Sequence, residues 1–227
     1  MTQPIGVEHV WAIVVAGGAG RRFGAQKQFL DLDGKSVLTR SVTGARSVAG
    51  HVIAVLPAAA VDDPSLHGGA DLVAPGGEDR AGSVRAGLAL VADDARVILV
   101  HDAARPLATP ALYRAVVDAL VDGVDGAIPA LSVTDTIKRV SGGRVLETLD
   151  RDELVAVQTP QAFRAERLRA AHARGSSATD DAALLEAEGA TVVVVPGEAH
   201  NMKLTHPRDV ARALVALRDL EEELSNE

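Results

Sequence analysis

Three short stretches of this chain carry residue types suited to phosphate chemistry. The first is Gly17, Gly18, Ala19 and Gly20, followed at once by Arg21 and Arg22 and then by Lys27. Glycines let a backbone come close to a ligand, loop N–H groups point at its oxygens, and the cations neutralise charge. The second stretch, GGEDRAGS, offers Gly77, Arg80 and Ser83, and the third, HDAARP, offers Asp102 and Arg105. A triphosphate carries about four negative charges and is usually handled with Mg²⁺, which favours carboxylate and phosphate oxygens. Asp102 is the best-placed carboxylate to hold or orient such an ion, directly or through water. A competing reading makes it a structural acid paired with Arg105, and the first stretch read alone could be a flexible loop with solvated charges. It is not a P-loop, which needs Gly, four residues and then Gly-Lys-Ser/Thr.

These residues need elements to position them. Trp11 to Ala16 reads as a buried strand, Ser36 to Val48 as a helix, His51 to Leu56 as a second strand and Ala70 to Ala74 as a third. A helix is expected over Ser83 to Ala92, with Ser83 as a plausible N-cap, then a strand over Arg96 to Val100. Thr109-Pro110 looks like an N-cap followed by proline at the first helical position, opening a helix to about Leu120. Gly126 to Ala130, Leu154 to Val157 and Thr191 to Val195 read as further strands. Arg164 to Arg174, a segment ending near Glu188, and a stretch from His206-Pro207 to about Leu224 read as helices. Repeated strand–helix units with continuous apolar strands imply a Rossmann-like α/β fold, mostly parallel, with helices on both faces. Ligands in such sheets bind beyond the carboxyl ends of the strands, and all three stretches fall there.

Val133 to Leu149 breaks the rhythm. Alternating residues around Ser141-Gly142-Gly143 make a β-hairpin with little apolar surface of its own. A lone hairpin is marginal, so it is expected to protrude and pack on a second subunit, or else to lie on its own domain. No repeat or linker divides the chain, and a single domain over 1–227 with the arm at 133–149 is expected.

Composition narrows the partners. The net charge is -8 with no basic block, which argues against nucleic acid. There are no cysteines, so disulfides and Cys-ligated zinc are excluded. No signal-peptide pattern and no membrane-length apolar run occurs, making the cytoplasm the expected location and a membrane partner unexpected. Aromatic residues are 2% of the chain, so a nucleobase would be read by backbone groups and small side chains.

An ordered series of motifs spans about Val10 to Asp209: AGGAGRRF, KQFL, GGEDRAGSV, VHDAARP, DTIKRV, LDR, QTPQAF, TDDA and NMKLT. Through them the chain resembles the sugar-phosphate nucleotidyltransferases and, among these, the 2-C-methyl-D-erythritol 4-phosphate cytidylyltransferase family. The resemblance implies joining of CTP to the sugar-alcohol phosphate with release of pyrophosphate, Mg²⁺ as cofactor, and a homodimer. Arg22 and Lys27 match the family's catalytic cations. Ala16, Gly17, Gly18, Gly77, Glu78, Ser83 and Ala103 match nucleotide positions, with Asp102 beside them. Arg105, Thr159, Thr179 and Lys203 match sugar-phosphate positions, and Thr136 and Arg151 would come from the neighbouring subunit's arm. His101 has no base role to fill, because a phosphate monoester already supplies an anionic nucleophile.

Some positions depart from the family pattern. Gln26 replaces a proline before Lys27, the FGAQ segment is short, and Gly82 replaces an acidic residue. The Ala16-Gly17-Gly18 form also resembles ribitol-5-phosphate cytidylyltransferases. A non-catalytic nucleotide-binding scaffold on the same fold is the reading from another class.

Overall fold

The computed structural model describes residues 6–18, 23–175 and 178–225. In chain order the elements are β1 (Val10–Val15), β2 (Asp31–Leu32), β3 (Lys35–Ser36), α1 (Val37–Ala45), β4 (His51–Leu56), β5 (Leu72–Pro75), α2 (Arg80–Leu88), β6 (Val97–Asp102) and α3 (Pro110–Asp118). Then follow β7 (Gly126–Ser132), β8 (Lys138–Ser141), β9 (Arg144–Thr148), β10 (Val155–Val157), β11 (Gln161–Arg164), α4 (Ala165–Ala173), α5 (Asp181–Glu186), β12 (Val192–Pro196) and α6 (Asp209–Ser225).

Eight of these strands form one sheet. β1 lies between β4 and β6, parallel to both, and β5 continues beyond β4. The order therefore reverses at β1, where Val15 stands opposite Asp102 in register. This is the switch point at which open α/β sheets leave a crevice. On the far side of β6 comes β11, antiparallel, then β7, flanked by β12 in parallel. The sequence assigns no strand between Leu154–Val157 and the helix expected from Arg164, yet Gln161–Arg164 forms one, with Ala162 and Phe163 fully buried between β6 and β7.

Strand alternation sorts the core into two layers. Val10, Ala12 and Val14 of β1 pack with α1 and α3, while Trp11 and Ile13 face α2, α4 and α5. A third cluster joins Leu32, Val37, Leu107 and Leu204 to Ala213 and Leu217 of α6. It clamps the β2–β3 ribbon and the segment before α6 together, and those two segments follow Lys27 and Lys203 respectively. Helix caps fix the loop ends. Thr109 Oγ1 accepts from Leu112 N at 3.2 Å, as the sequence suggests. Ser83 is not the cap of α2. Asp79 takes that place, accepting from Gly82 N at 2.6 Å, because the helix begins three residues earlier than the apolar pattern alone indicates. The arm is a β8–β9 hairpin whose strand residues are all exposed.

Candidate active site

A cleft of about 560 Å³ opens at the carboxyl ends of β1, β5 and β6. Ala16, Gly17, Gly18, Gly77, Glu78, Ser83, Asp102 and Ala103 all line it, as do Lys27, Gln28, Arg80 and Lys203. Two glycines make its floor. A Cβ on Gly17 would stand 3.1 Å from Gly76 Cα, so the loops after β1 and β5 pack backbone to backbone. A Cβ on Gly77 would come within 2.6 Å of the Gly82 carbonyl carbon, so the turn into α2 has no room for a side chain. Ser83 ties this turn down: its Oγ accepts from Gly77 N at 3.1 Å and donates to Asp79 O at 2.9 Å.

A smaller compartment of about 170 Å³ adjoins the cleft and is lined by Arg105, Thr159, Thr179 and Lys203 together with Arg80, Asp102, Gln158 and Gln161. The two spaces share Arg80, Asp102 and Lys203. Asp102 does not pair with Arg105. Its Oδ1 accepts from Arg80 Nε at 3.1 Å and its Oδ2 from Lys203 Nζ at 2.5 Å. Burial pushes the Asp102 carboxyl up, but the adjacent cations outweigh it and hold the group well below the usual carboxylate range. Arg105 instead spends its guanidinium on backbone, Nη1 to Asn201 O at 2.8 Å and Nη2 to Val157 O at 3.3 Å. Its Nε is buried without a partner among the described residues, and burial lowers its pKa from the ordinary value. An unpaired buried donor is costly.

His101 is fixed in a closed chain of hydrogen bonds. Asp102 N donates to Thr159 Oγ1 at 3.0 Å, and that hydroxyl lies 3.2 Å from His101 Nδ1. His101 Nε2 lies 3.1 Å from Arg105 O, which can only accept, so Nε2 carries the proton and Nδ1 accepts. Burial pushes its pKa down to about 4, and the ring is neutral near pH 7. The sequence reading of His101 as structural agrees with this wiring. Thr159, on the cis Thr159–Pro160 bond, is buried and shares its hydroxyl with the same chain.

Lys27 sits on a short 3₁₀ turn, Lys27–Phe29, with Nζ donating to Leu204 O at 2.5 Å. It thus bridges the loop after β1 to the segment carrying Lys203. Arg22 lies outside the described residues. Thr136 and Arg151 are exposed at the base of the arm, Arg151 Nη1 donating to Thr134 O at 2.7 Å, and neither lines either compartment of its own chain. The sequence offers Arg80 among the residues suited to phosphate but assigns it to neither the nucleotide nor the sugar-phosphate positions, although it reaches both spaces. Sequence reasoning also missed Gln158 and Asn201, whose amides hold the 198–201 segment: Gln158 Nε2 donates to Glu198 O at 2.8 Å, and Asn201 Nδ2 to Thr159 O at 3.0 Å. The QTPQ and NMK motifs contained them, but a pairing 43 residues apart has no local signal.

No group of three or more His, Cys, Asp or Glu side chains able to hold a metal occurs among the described residues. Among the described residues Asp102 is the carboxylate that lines both spaces, and Mg²⁺ is commonly held by one or two carboxylates plus substrate phosphates and water.

Comparison with known proteins gives a consistent picture. The family model described as IspD, 2-C-methyl-D-erythritol 4-phosphate cytidylyltransferase, matches residues 10–219. The chain is 45% identical over 221 residues to the 2-C-methyl-D-erythritol 4-phosphate cytidylyltransferase of Rubrobacter xylanophilus, covering 92% of this chain and 95% of that one. It is 41% identical over 222 residues to the bifunctional enzyme IspD/IspF of Solidesulfovibrio magneticus, covering 89% of this chain but only 56% of the relative. The chain thus spans little more than half of such two-function relatives. Among solved structures, the 2-C-methyl-D-erythritol 4-phosphate cytidylyltransferase of Thermus thermophilus superposes with a TM-score of 0.77 at 32% identity, covering 91% of this chain and 98% of that one.

Proposed function

We propose that this chain, which belongs to the 2-C-methyl-D-erythritol 4-phosphate cytidylyltransferase family, binds CTP in the larger compartment and the sugar-alcohol phosphate in the smaller one. The reaction is transfer of CMP from CTP to 2-C-methyl-D-erythritol 4-phosphate, a step of the non-mevalonate isoprenoid pathway. A phosphate monoester oxygen attacks the α-phosphorus, the bond from that phosphorus to the β-phosphate oxygen breaks, and pyrophosphate leaves. The observation that carries this assignment is the meeting of the two spaces at Arg80, Asp102 and Lys203. Residues matching nucleotide positions line one side of that junction, and residues matching sugar-phosphate positions line the other.

The nucleophile is largely dianionic near neutral pH, so no general base is required. The barrier is the approach of one anion to another, which calls for positioning and charge stabilisation. Arg22 and Lys27 act on the α-phosphate, with Lys27 turning from Leu204 O to the nucleotide. Gly17, Gly18 and Gly77 admit the nucleotide to close backbone contact, and Arg105 and Lys203 receive the sugar phosphate. Asp102 would hold Mg²⁺, directly or through water, and the ion would supply charge neutralisation at the nucleotide phosphates.

The working form is a homodimer in the cytoplasm. Val140 and Leu146 of the arm are 59% and 62% exposed, an apolar surface that a second copy would cover. The arm would then carry Thr136 and Arg151 to the partner's smaller compartment. Among the described residues no helix is long and apolar enough to cross a membrane. The test is pyrophosphate release with CTP and a panel of sugar-alcohol phosphates. Turnover with methylerythritol phosphate is expected to exceed that with ribitol 5-phosphate, and the reverse preference, or binding of CTP without turnover, would overturn the assignment.

A further inference from the structure

A line of paired side chains runs from the interior of α4 to the junction of the two compartments. His172 Nε2 lies 2.8 Å from Asp181 Oδ1, and Asp181 Oδ2 accepts from Arg80 Nη1 at 2.6 Å. Arg80 Nε reaches Asp102, which in turn holds Lys203. The side chains of His172 and Asp181 are 2% and 1% exposed. A carboxylate taken this far from water costs several kcal/mol unless it is well paired, so both Asp181 oxygens are committed to partners. The other ring nitrogen of His172 has no hydrogen bond among the described residues, which leaves Asp181 as the target of its polar side. Neither residue lines either compartment. Anything they do for the chemistry passes through Arg80.

Arg80 needs such an anchor. A guanidinium matches a phosphate bidentately and would turn toward an anion arriving in either space. Lys203, 40% exposed on a flexible stem, can leave Asp102 for the substrate phosphate. If Arg80 left as well, Asp102 would lose both partners and its fixed place at the junction.

We infer that Asp181, oriented by His172, is a positioning residue for CMP transfer: it retains Arg80 between the two carboxylates, so that Asp102 stays at the junction when Lys203 turns to substrate. This rests on the nucleotidyl-transfer reading above. Neutralising Asp181 raises the local charge and frees Arg80 to pair with substrate phosphate. Ground-state binding is then kept while the productive geometry is lost, so the cost falls on kcat and not on KM.

The experiment is steady-state kinetics of the full chain with CTP and methylerythritol phosphate, each varied, with thermal melts of every variant. Asp181→Asn is expected to lower kcat by on the order of tenfold or more, with both KM values within about threefold of wild type. His172→Leu should act in the same direction by several-fold, and His172→Gln, which keeps an N–H donor, should recover most of the loss. The Asp181→Asn/His172→Leu double variant should fall no lower than Asp181→Asn alone, because His172 acts only through Asp181. Folded Asp181→Asn with kcat within about twofold of wild type would overturn the inference, as would KM values that rise in step with the loss. Additive losses in the double variant, or no recovery by His172→Gln, would overturn the role of His172. Should Asp181→Asn fail to fold, the two His172 variants decide. A readout independent of turnover is the Arg80 Nε–H resonance, assigned with Arg80→Lys. It is expected to be sharp in wild type and broadened in Asp181→Asn or His172→Leu, and an unchanged signal in both would refute the anchoring. A wild-type chain that bound CTP but transferred nothing would overturn the functional reading, and the resonance would still judge the anchor.

Discussion

Replacing Asp102 by Asn tests the junction at its centre. The substitution keeps the shape and removes the charge that Arg80 and Lys203 face. Breaking a buried ion pair by removing one partner costs about 3–5 kcal/mol. Here the loss is smaller, since the half-exposed Lys203 can turn to water and Arg80 keeps Asp181. About 2–3 kcal/mol is expected on that basis. For a chain of this size 1 kcal/mol corresponds to about 2–4 °C in Tm, so melting should fall by about 4–12 °C. Activity should fall further, by on the order of 10²-fold in kcat, because the carboxylate that positions Arg80 and Lys203 at the proposed phosphate site is removed. Because the Asp102 carboxyl is held far below its ordinary pKa, the deficit should be the same from about pH 5 to about pH 8. The assay is a thermal melt beside continuous pyrophosphate release across that range. A variant melting with wild type and turning over within about threefold of it would refute the reasoning.

Loss of either loop cation, Lys27→Ala or Arg22→Ala, should lower kcat by on the order of 10²-fold, and turnover within a few-fold of wild type would contradict their placement at the α-phosphate. His101 is neutral in the fold down to about pH 4 but takes a proton near 6.5 when unfolded, so the unfolded state binds more protons between those values and stability falls as pH drops through that window. At about 1.4 kcal/mol per pH unit the loss approaches about 3 kcal/mol, and urea unfolding that stays flat from about pH 6.5 to 4 would rule it out. Gly77→Ala places a methyl against the Gly82 backbone, and an overpacking cost of about 1–3 kcal/mol should appear in urea unfolding, with wild-type stability contradicting the close packing of this turn. Val140→Asp with Leu146→Asp should convert the proposed dimer to a monomer in sedimentation and raise KM for the sugar phosphate, while a dimer of full activity would speak against the arm's proposed role.

Much of the sheet was legible because its strands announce themselves. His51–Leu56 is a continuous apolar run stopped by Pro57, and its bounds in the fold are those read from the sequence. Thr109-Pro110 carries its own capping chemistry, and it caps α3 as expected. Gln161–Arg164 was harder. It is four residues long, flanked by polar side chains, and owes its strand to the edges of β6 and β7 on either side. The start of α2 was displaced for a similar reason. Arg80 faces the cleft and interrupts the apolar period, so the periodicity begins late while Asp79 supplies the cap. In the site, the glycine loops and Asp102 could be placed from strand ends alone. Which cation pairs with Asp102 could not, since Arg80 and Lys203 reach it across 22 and 101 residues while Arg105 is the sequence neighbour.

The most direct test of the central claim follows the attacking oxygen. Methylerythritol phosphate labelled with oxygen-18 at its phosphate is incubated with CTP and the chain, and the products are separated and weighed by mass spectrometry. Attack by that phosphate on the α-phosphorus predicts that all of the label stays with the cytidine diphosphate sugar alcohol and that the released pyrophosphate is unlabelled. Label in the pyrophosphate, or release of pyrophosphate without the labelled conjugate, would contradict it.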